Sequence, residues 1–166
     1  MTAAITLRPA GPTDTALILA FIGELAEYEK LAHEVVADHD TLAAQLFGAA
    51  PAAEVVIAEV DGQAAGFALF FHNFSTFLGR RGLYLEDLYV QPQYRGLGLG
   101  RCLMIHLARL AVQRGCGRFE WSVLDWNAPA IAFYRDLGAT PLDEWTVQRV
   151  TGEALRRLAA HDQSGA

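Results

Sequence analysis

Three glycines at alternate positions form the segment of this sequence best suited to hold a ligand. They lie in the segment Arg95-Gly96-Leu97-Gly98-Leu99-Gly100. Glycines leave the backbone N–H groups of such a loop unshielded by side chains. The apolar spacing of residues 103–110 predicts a helix directly after the loop. Because the first-turn amides of a helix lack intrahelical acceptors and the helix dipole favours an anion there, the segment predicts a phosphate or pyrophosphate cradle.

Two common phosphate-binding motifs fit this loop poorly. A P-loop has Lys and then Ser or Thr after its last glycine, whereas Arg101-Cys102 follows here. A dinucleotide-binding loop has the spacing Gly-x-Gly-x-x-Gly near the start of its domain, whereas this loop has Gly-x-Gly-x-Gly in mid-chain. A glycine-rich turn without a ligand is the remaining alternative for the loop taken alone.

Other reactive residues give weaker signals. Cys102 lies near a helix N-terminus, where a thiolate is favoured, so a covalent acyl-cysteine is one alternative; the simpler interpretation is packing. The two cysteines and five histidines have no metal-ligand spacing. Glu86 and Asp87 are adjacent on the strand before the loop, so both carboxylates can line one site only if a bulge interrupts that strand.

The composition is that of a compact domain. The chain has 166 residues, of which 52% are hydrophobic, so we expect one domain over residues 1–166, with residues 161–166 frayed.

A net charge of −6 without a basic stripe argues against a nucleic-acid partner. No apolar run reaches the ~20 residues of a membrane span. The first nine residues lack a signal-peptide pattern, so we expect a cytoplasmic location and no membrane partner.

Periodicity and turn residues predict eleven elements in the order β, α, α, β, β, β, α, β, α, β, α, an α/β (α+β) layered sheet. The predicted strands are residues 5–9, 55–60, 65–71, 83–90, 119–124 and 146–150. The predicted helices are one capped by Thr13 or Asp14 and ending near Lys30, one capped by Asp38 or Asp40 and ending at Phe47, the helix after the glycine loop, residues 130–137, and one capped by Thr151. Asp61-Gly62 predicts a tight hairpin turn, and residues 72–81 are expected to be a loop.

Two separate motifs resemble those of one enzyme family. The pattern Arg95-x-x-Gly98-x-Gly100, between a strand and an amphipathic helix, resembles the acetyl-CoA signature of the GNAT superfamily of N-acetyltransferases. Residues 125–139 resemble the GNAT segment in which an asparagine contacts the cofactor and a Phe-Tyr pair follows; here these are Asn127, Phe133 and Tyr134. The resemblance covers nearly the whole chain. It implies the GNAT fold, a central mixed, mostly antiparallel sheet flanked by helices, with two strands splayed apart beside the glycine loop.

Further segments are similar to the diamine (spermidine/spermine) and thialysine acetyltransferase branch of that superfamily. They are residues 84–90, 94–96 and 126–127, Pro129, Phe133-Tyr134, residues 24–26 and Tyr28-Glu29. This resemblance implies transfer of an acetyl group from acetyl-CoA to a primary amine of a small cationic acceptor, by direct attack in a ternary complex and without a metal. It also implies a homodimer and the strand bulge that brings Glu86 and Asp87 into one site.

The resemblance assigns a role to each candidate residue. Glu86 is expected to be the general base, directly or through a water, and Tyr134 the general acid. The expected cofactor-binding residues are Leu88, Tyr89, Val90, Arg95, Gly96, Leu97, Gly98, Leu99, Gly100, Arg101, Asn127, Phe133 and Tyr134. The expected substrate-binding residues are Tyr28, Glu29, Glu86, Asp87 and Trp145. Acetylation of a protein or peptide amine, and a CoA-binding sensor without turnover, are the alternatives.

Overall fold

The computed structural model describes residues 3–161, and a five-stranded sheet is its largest feature. The strands are β1 (Ile5–Pro9), β2 (Glu54–Val60), β3 (Gln63–Ser75), β4 (Arg80–Val90) and β5 (Phe119–Trp121). They lie in the order β1-β2-β3-β4-β5; pairing is antiparallel from β1 to β4 and parallel between β4 and β5. The predicted mixed, mostly antiparallel sheet is therefore confirmed.

Five α-helices occur in the described part of the chain. They are α1 (Thr15–Tyr28), α2 (His39–Phe47), α3 (Leu99–Gln113), α4 (Ala128–Asp136) and α5 (Gly152–Ala159). The chain divides into two compact units, residues 1–124 with the sheet and α1 to α3, and residues 125–166 with α4 and α5. The single domain expected over the whole chain stays a prediction. Of the tail expected to fray, residues 162–166 lie outside the described residues.

The helix starts show which predicted caps form. The Asp38 side chain accepts a hydrogen bond of 2.8 Å from the backbone N–H of Thr41, which confirms it as the cap of α2. Asp14 precedes α1 without a side-chain capping bond, because its carboxylate binds the Arg8 guanidinium at 2.8 Å and accepts from the Gly11 N–H. Arg8 is also the main reason that the pKa of Asp14 is lowered. Thr151 precedes α5 but likewise makes no side-chain capping bond.

One hydrophobic cluster of residues 1–124 lies between α1 and one face of the sheet, which we call the α1 face. Phe21 of α1 stacks on Phe67 of β3 with ring centroids 5.5 Å apart, and its ring lies 6.2 Å from that of Tyr89 on β4. Ile18 and Ile57 are fully buried in the same cluster. Aromatic and aliphatic burial on this scale, about 1.5–3 kcal/mol per side chain, fixes α1 against β3 and β4.

The first hairpin forms as predicted, whereas the loop expected after β3 is mostly strand. Asp61 and Gly62 have φ values of 49° and 78°, as a two-residue turn with two positive φ angles requires. The prediction of a loop over residues 72–81 is wrong, because β3 continues to Ser75 and β4 begins at Arg80. Cross-strand pairing explains the difference: the rings of Phe71 and Tyr84 lie 5.2 Å apart, and such pairs stabilise a hairpin that local composition does not reveal.

Two further strand predictions need correction. Residues 146–150, predicted as a strand, are exposed and adopt no regular secondary structure. A strand needs a neighbour to satisfy its backbone N–H and C=O groups, and alternation in the sequence does not supply one. The strand predicted over residues 119–124 ends at Trp121, its last pairing with β4.

β4 extends well beyond its pairing with β5. The parallel pairs run from Leu83–Phe119 to Leu85–Trp121, whereas β4 continues to Val90. Within the described residues, therefore, residues 86–90 have β3 on one side and no strand on the other. The separation of these two strands beside the glycine loop, expected from the resemblance, is present.

Candidate active site

A β-bulge interrupts β4 at the two adjacent carboxylates, Glu86 and Asp87. Leu69 of β3 pairs with Asp87 and the next residue, Phe70, pairs with Leu85, so Glu86 is an extra residue without a partner on β3. Because paired residues share a face, Asp87 lies with Leu69 on the α1 face, and Glu86 is exposed at the bulge. The expected bulge is therefore confirmed.

Asp87 is the half-buried member of an acidic group. The pKa of Asp87 is raised to about 6, mainly by burial and then by the nearby carboxylates of Glu86 and Glu29. Glu29 follows the last residue of α1, and burial also raises the pKa of its carboxyl group. The bulge and the C-terminal end of α1 thus bring together three of the residues predicted to bind substrate. Such a group can attract a cation and can exchange a proton near neutral pH.

Tyr28, another predicted substrate residue, contacts the start of the glycine loop. The Arg95 guanidinium lies 5.1 Å from the centroid of the Tyr28 ring and 5.8 Å from that of Tyr89. The Arg95 Nε also donates a hydrogen bond of 3.0 Å to the backbone oxygen of Val90. Arg95 therefore connects the loop to both β4 and α1.

The glycine loop has an open backbone surface. Gly96 and Gly98 have φ values of 82° and 88°, a region that favours glycine, and a Cβ built on either would meet no heavy atom within 4 Å. The glycines are therefore needed for backbone conformation rather than for packing. α3 begins at Leu99, which is buried, so its first-turn amides start at the loop. This surface fits an anion such as the pyrophosphate of CoA.

Residues 88–90 present a second set of backbone groups. Leu88, Tyr89 and Val90 pair with Ala68, Phe67 and Gly66 of β3. Backbone groups alternate between the two edges of a strand, and the second edge here has no strand neighbour among the described residues. That edge can therefore offer N–H groups to a ligand.

The remaining predicted residues belong to the second unit. Asn127 is buried, and its side-chain oxygen accepts a hydrogen bond of 3.3 Å from the Ala130 N–H, so it caps α4. Phe133 and Tyr134 are adjacent on α4, with ring centroids 5.2 Å apart. Trp145 is exposed. The cap role of Asn127 was not predicted, although its position before Ala128-Pro129 is a recognisable helix-start signal.

Sequence and structure comparisons agree with this arrangement. Residues 22–139 match the Acetyltransferase (GNAT) family. The chain belongs to the GNAT acetyltransferase family. It is 40% identical over 168 residues to a thialysine N-epsilon-acetyltransferase of Mus musculus, covering 95% of this chain and 98% of that protein.

Two further proteins extend the comparison. The chain is 33% identical to an L-ornithine N5-acetyltransferase of Arabidopsis thaliana, covering 92% of this chain and 86% of the relative. Among solved structures, it is similar to an integron cassette protein from the mobile metagenome of V. cholerae, with a TM-score of 0.80 and 27% identity. That match covers 97% of this chain and 99% of the other, so the two proteins share one fold over nearly all of their length.

One polar contact of this GNAT chain was missed by sequence reasoning. The Gln91 Nε2 donates to both carboxylate oxygens of Glu24, at 3.1 and 3.2 Å, and so joins the end of β4 to α1. The spacing of Glu24 and Tyr28, four residues apart on α1, is a signal that both face the same neighbour. It could not identify that neighbour, because Gln91 is 67 residues away in sequence.

Residues 3–161 contain neither a candidate metal-binding cluster nor a candidate membrane-spanning helix. In that part of the chain, no group of three or more His, Cys, Asp and Glu side chains is arranged to hold a metal ion. None of the described helices has the length and apolar character needed to cross a bilayer. Cys102 and Cys116 are both free thiols and half-buried.

Proposed function

We propose that this GNAT acetyltransferase moves the acetyl group of acetyl-CoA to a primary amine of a small cationic acceptor. The observation that carries the proposal is the bulge at Glu86, which brings Asp87 onto the α1 face within electrostatic range of Glu29. An acidic group on the strand that leads into an anion-binding loop suits a cationic acceptor next to an anionic cosubstrate. The names of two relatives, which specify thialysine and L-ornithine, support the same acceptor class.

The reaction requires a base on the protein. Acetyl-CoA supplies an activated acetyl group as a thioester; the amine nitrogen bonds to its carbonyl carbon, the C–S bond breaks, and the proton lost by nitrogen balances the proton gained by sulfur. A primary alkylamine has a pKa of about 10.4, so removing its proton at pH 7 costs about 4 to 5 kcal/mol. A nearby carboxylate, directly or through a water, can take this proton before the nitrogen attacks and can take the second proton that the nitrogen loses once the C–N bond has formed.

We assign the roles as the family resemblance implies. Glu86, exposed at the bulge, accepts the proton directly or through a water, and Asp87 with Glu29 holds the charged end of the acceptor. Tyr28 and Trp145 offer aromatic faces to a cation. The N–H groups of residues 88–90 stabilise the oxyanion. The CoA moiety is bound by residues 95–101 with Asn127 and Phe133.

Tyr134 is proposed to protonate the thiolate that leaves. Tyr134→Phe should therefore lower kcat by about tenfold or more while CoA binding is retained, because only the acid is lost. Stopped-flow or steady-state thiol release and calorimetric titration with CoA would measure the two effects. Tyr84→Phe is the matched control, since it removes a hydroxyl that bonds to Ser122 at 3.0 Å and should leave kcat unchanged. A wild-type rate in Tyr134→Phe would refute the assignment.

The acceptor can be identified by a thiol-release assay. The panel is acetyl-CoA with spermidine, spermine, putrescine, thialysine, ornithine, lysine and short basic peptides. We expect the highest kcat/KM with one of the small amines and little release with the peptides. A peptide as the best acceptor would replace the proposal with protein acetylation, and CoA binding without any release would favour a sensor.

The homodimer is also a proposal. It rests on the resemblance alone, since only one copy of the chain is described. Light scattering of the purified protein should give twice the mass of one chain, and a monomer at all concentrations tested would contradict it.

A further inference from the structure

We propose that Glu24 is a positioning residue that holds the junction of β4 and the glycine loop against α1. This inference rests on the proposed function, because it concerns how the CoA cradle is kept in place. Glu24 is not among the residues expected to touch acetyl-CoA or the amine. Its effect is exerted through Gln91 and Tyr89, which lie on either side of Val90 in the chain.

The Glu24 carboxylate accepts hydrogen bonds from Gln91 and lies near the phenol of Tyr89. Gln91 Nε2 lies 3.1 and 3.2 Å from its two oxygens in a partly buried setting. Tyr89 is buried, and the pKa of its phenol is raised first by burial and then by the proximity of Glu24. Hydrogen bonds to a carboxylate are stronger than those between neutral groups, and partial burial protects them from water. One carboxylate therefore fixes the last residues of β4 to α1.

A second contact acts four residues further along α1. The Tyr28 ring lies under the Arg95 guanidinium at 5.1 Å, and Arg95 Nε donates to the Val90 oxygen at 3.0 Å. Residues four apart lie on one face of a helix, so Glu24 and Tyr28 contact the same segment. Gln91 precedes the short 3-10 turn Pro92–Tyr94 and Arg95 follows it. We call Glu24, Tyr28, Gln91 and Arg95 the α1 clamp, since α1 holds both ends of this turn.

The α1 clamp has a consequence for cosubstrate affinity. Loop amides bind an anion well only when they are already in position, because otherwise binding must supply the free energy of ordering them. Residues 88–90, whose N–H groups are proposed to meet the reacting carbonyl, end at the clamp. Loss of the Glu24–Gln91 bond should thus weaken CoA binding more than it lowers turnover at saturating acetyl-CoA.

A side-chain exchange tests this directly. The variants are Gln91→Glu, which sets two carboxylates against each other, and Glu24→Gln/Gln91→Glu, which restores a hydrogen bond with donor and acceptor reversed. Calorimetry with CoA should give a Kd about tenfold higher for Gln91→Glu and within about threefold of wild type for the exchange, as expected for losing and regaining one charge-assisted bond. The kcat of both should stay within about threefold of wild type.

The controls separate positioning from charge and from folding. Glu27→Gln repeats the Glu-to-Gln change of the exchange variant at an exposed residue of α1, and it should leave the Kd for CoA unchanged. Gln91→Glu adds a negative charge that the exchange variant does not add, so charge is controlled by Gln91→Met, which keeps the wild-type net charge and removes the hydrogen-bond donor. If Gln91→Glu does not fold, Gln91→Met removes the donor at similar length and should also raise the Kd.

Three results would overturn the inference. They are wild-type affinity in Gln91→Glu, wild-type affinity in Gln91→Met, or an exchange variant as weak as the single variant. Failure of the wild-type chain to bind CoA would overturn the proposed function and this inference together. If instead the wild-type chain binds CoA and the Gln91 variants bind it equally well, only this inference fails and the proposed function stands.

Discussion

Gly98→Val should abolish measurable binding of CoA. Gly98 has a φ of 88°, which a β-branched residue adopts only at a cost of about 1–3 kcal/mol. The space over its Cβ position is open, so a valine side chain would stand where the anion is proposed to meet the loop amides. Losing two hydrogen bonds to a charged group corresponds to about 3–6 kcal/mol, or more than 100-fold in Kd. Calorimetric titration with CoA measures this.

Gly115→Val is the matched control for the strain. Gly115 follows the opposite end of α3, has a φ of 67°, and also has no heavy atom within 4 Å of a built Cβ. Both valine variants should therefore lose similar unfolding free energy, but only Gly98→Val should lose CoA binding. Equal loss of affinity in both, or normal affinity in Gly98→Val, would contradict the pyrophosphate cradle.

Asp87→Asn should stabilise the protein at neutral pH. The pKa of Asp87 is raised from 3.8 to about 6, first by burial and then by Glu86 and Glu29, so its charged form is disfavoured in the folded state. The folded chain therefore binds the Asp87 proton more tightly than the unfolded chain does. This tighter binding adds to the free energy of unfolding below about pH 4, and the contribution is lost as the pH rises through about 6. Asparagine does not titrate, so the variant should gain up to about 3 kcal/mol over wild type above pH 6.

Urea unfolding at pH 4 and pH 7.5 distinguishes this effect from a packing change. The difference between Asp87→Asn and wild type should be larger at pH 7.5, whereas Asp143→Asn, at an exposed residue, should show no such dependence. The same Asp87→Asn change should raise the KM of a cationic acceptor, since it removes a charge from the acidic group. A difference independent of pH, or a variant less stable at pH 7.5, would refute this account of Asp87.

Local patterns in the sequence were sufficient to predict much of the fold. The strand, glycine loop and helix over residues 83–110 follow from apolar periodicity and turn residues, and Asp61-Gly62 specifies its hairpin through backbone conformation alone. The resemblance to GNAT enzymes supplied what periodicity could not. It implied the bulge at Glu86 and the separation of β4 from β5, both of which depend on pairing between distant strands.

The features that were missed depend on contacts far apart in sequence. Residues 72–75 look polar and loop-like until β4 pairs with them, and residues 146–150 alternate like a strand but do not form one. The Glu24–Gln91 contact spans 67 residues. The half-burial of Asp87, which controls its pKa, depends on the bulge and on the end of α1. Such properties belong to the packed molecule and have no local sequence signal.

The bulge also bears on how this site could evolve. Leu85 and Asp87 pair with consecutive residues of β3, so the ladder is regular on both sides of Glu86. Glu86 is in effect a one-residue insertion that leaves the facing of its neighbours unchanged. Exposed and outside the ladder, it is under little constraint from the core. A substitution at residue 86 can therefore change the reactive group of the site without changing the pairing of β3 with β4.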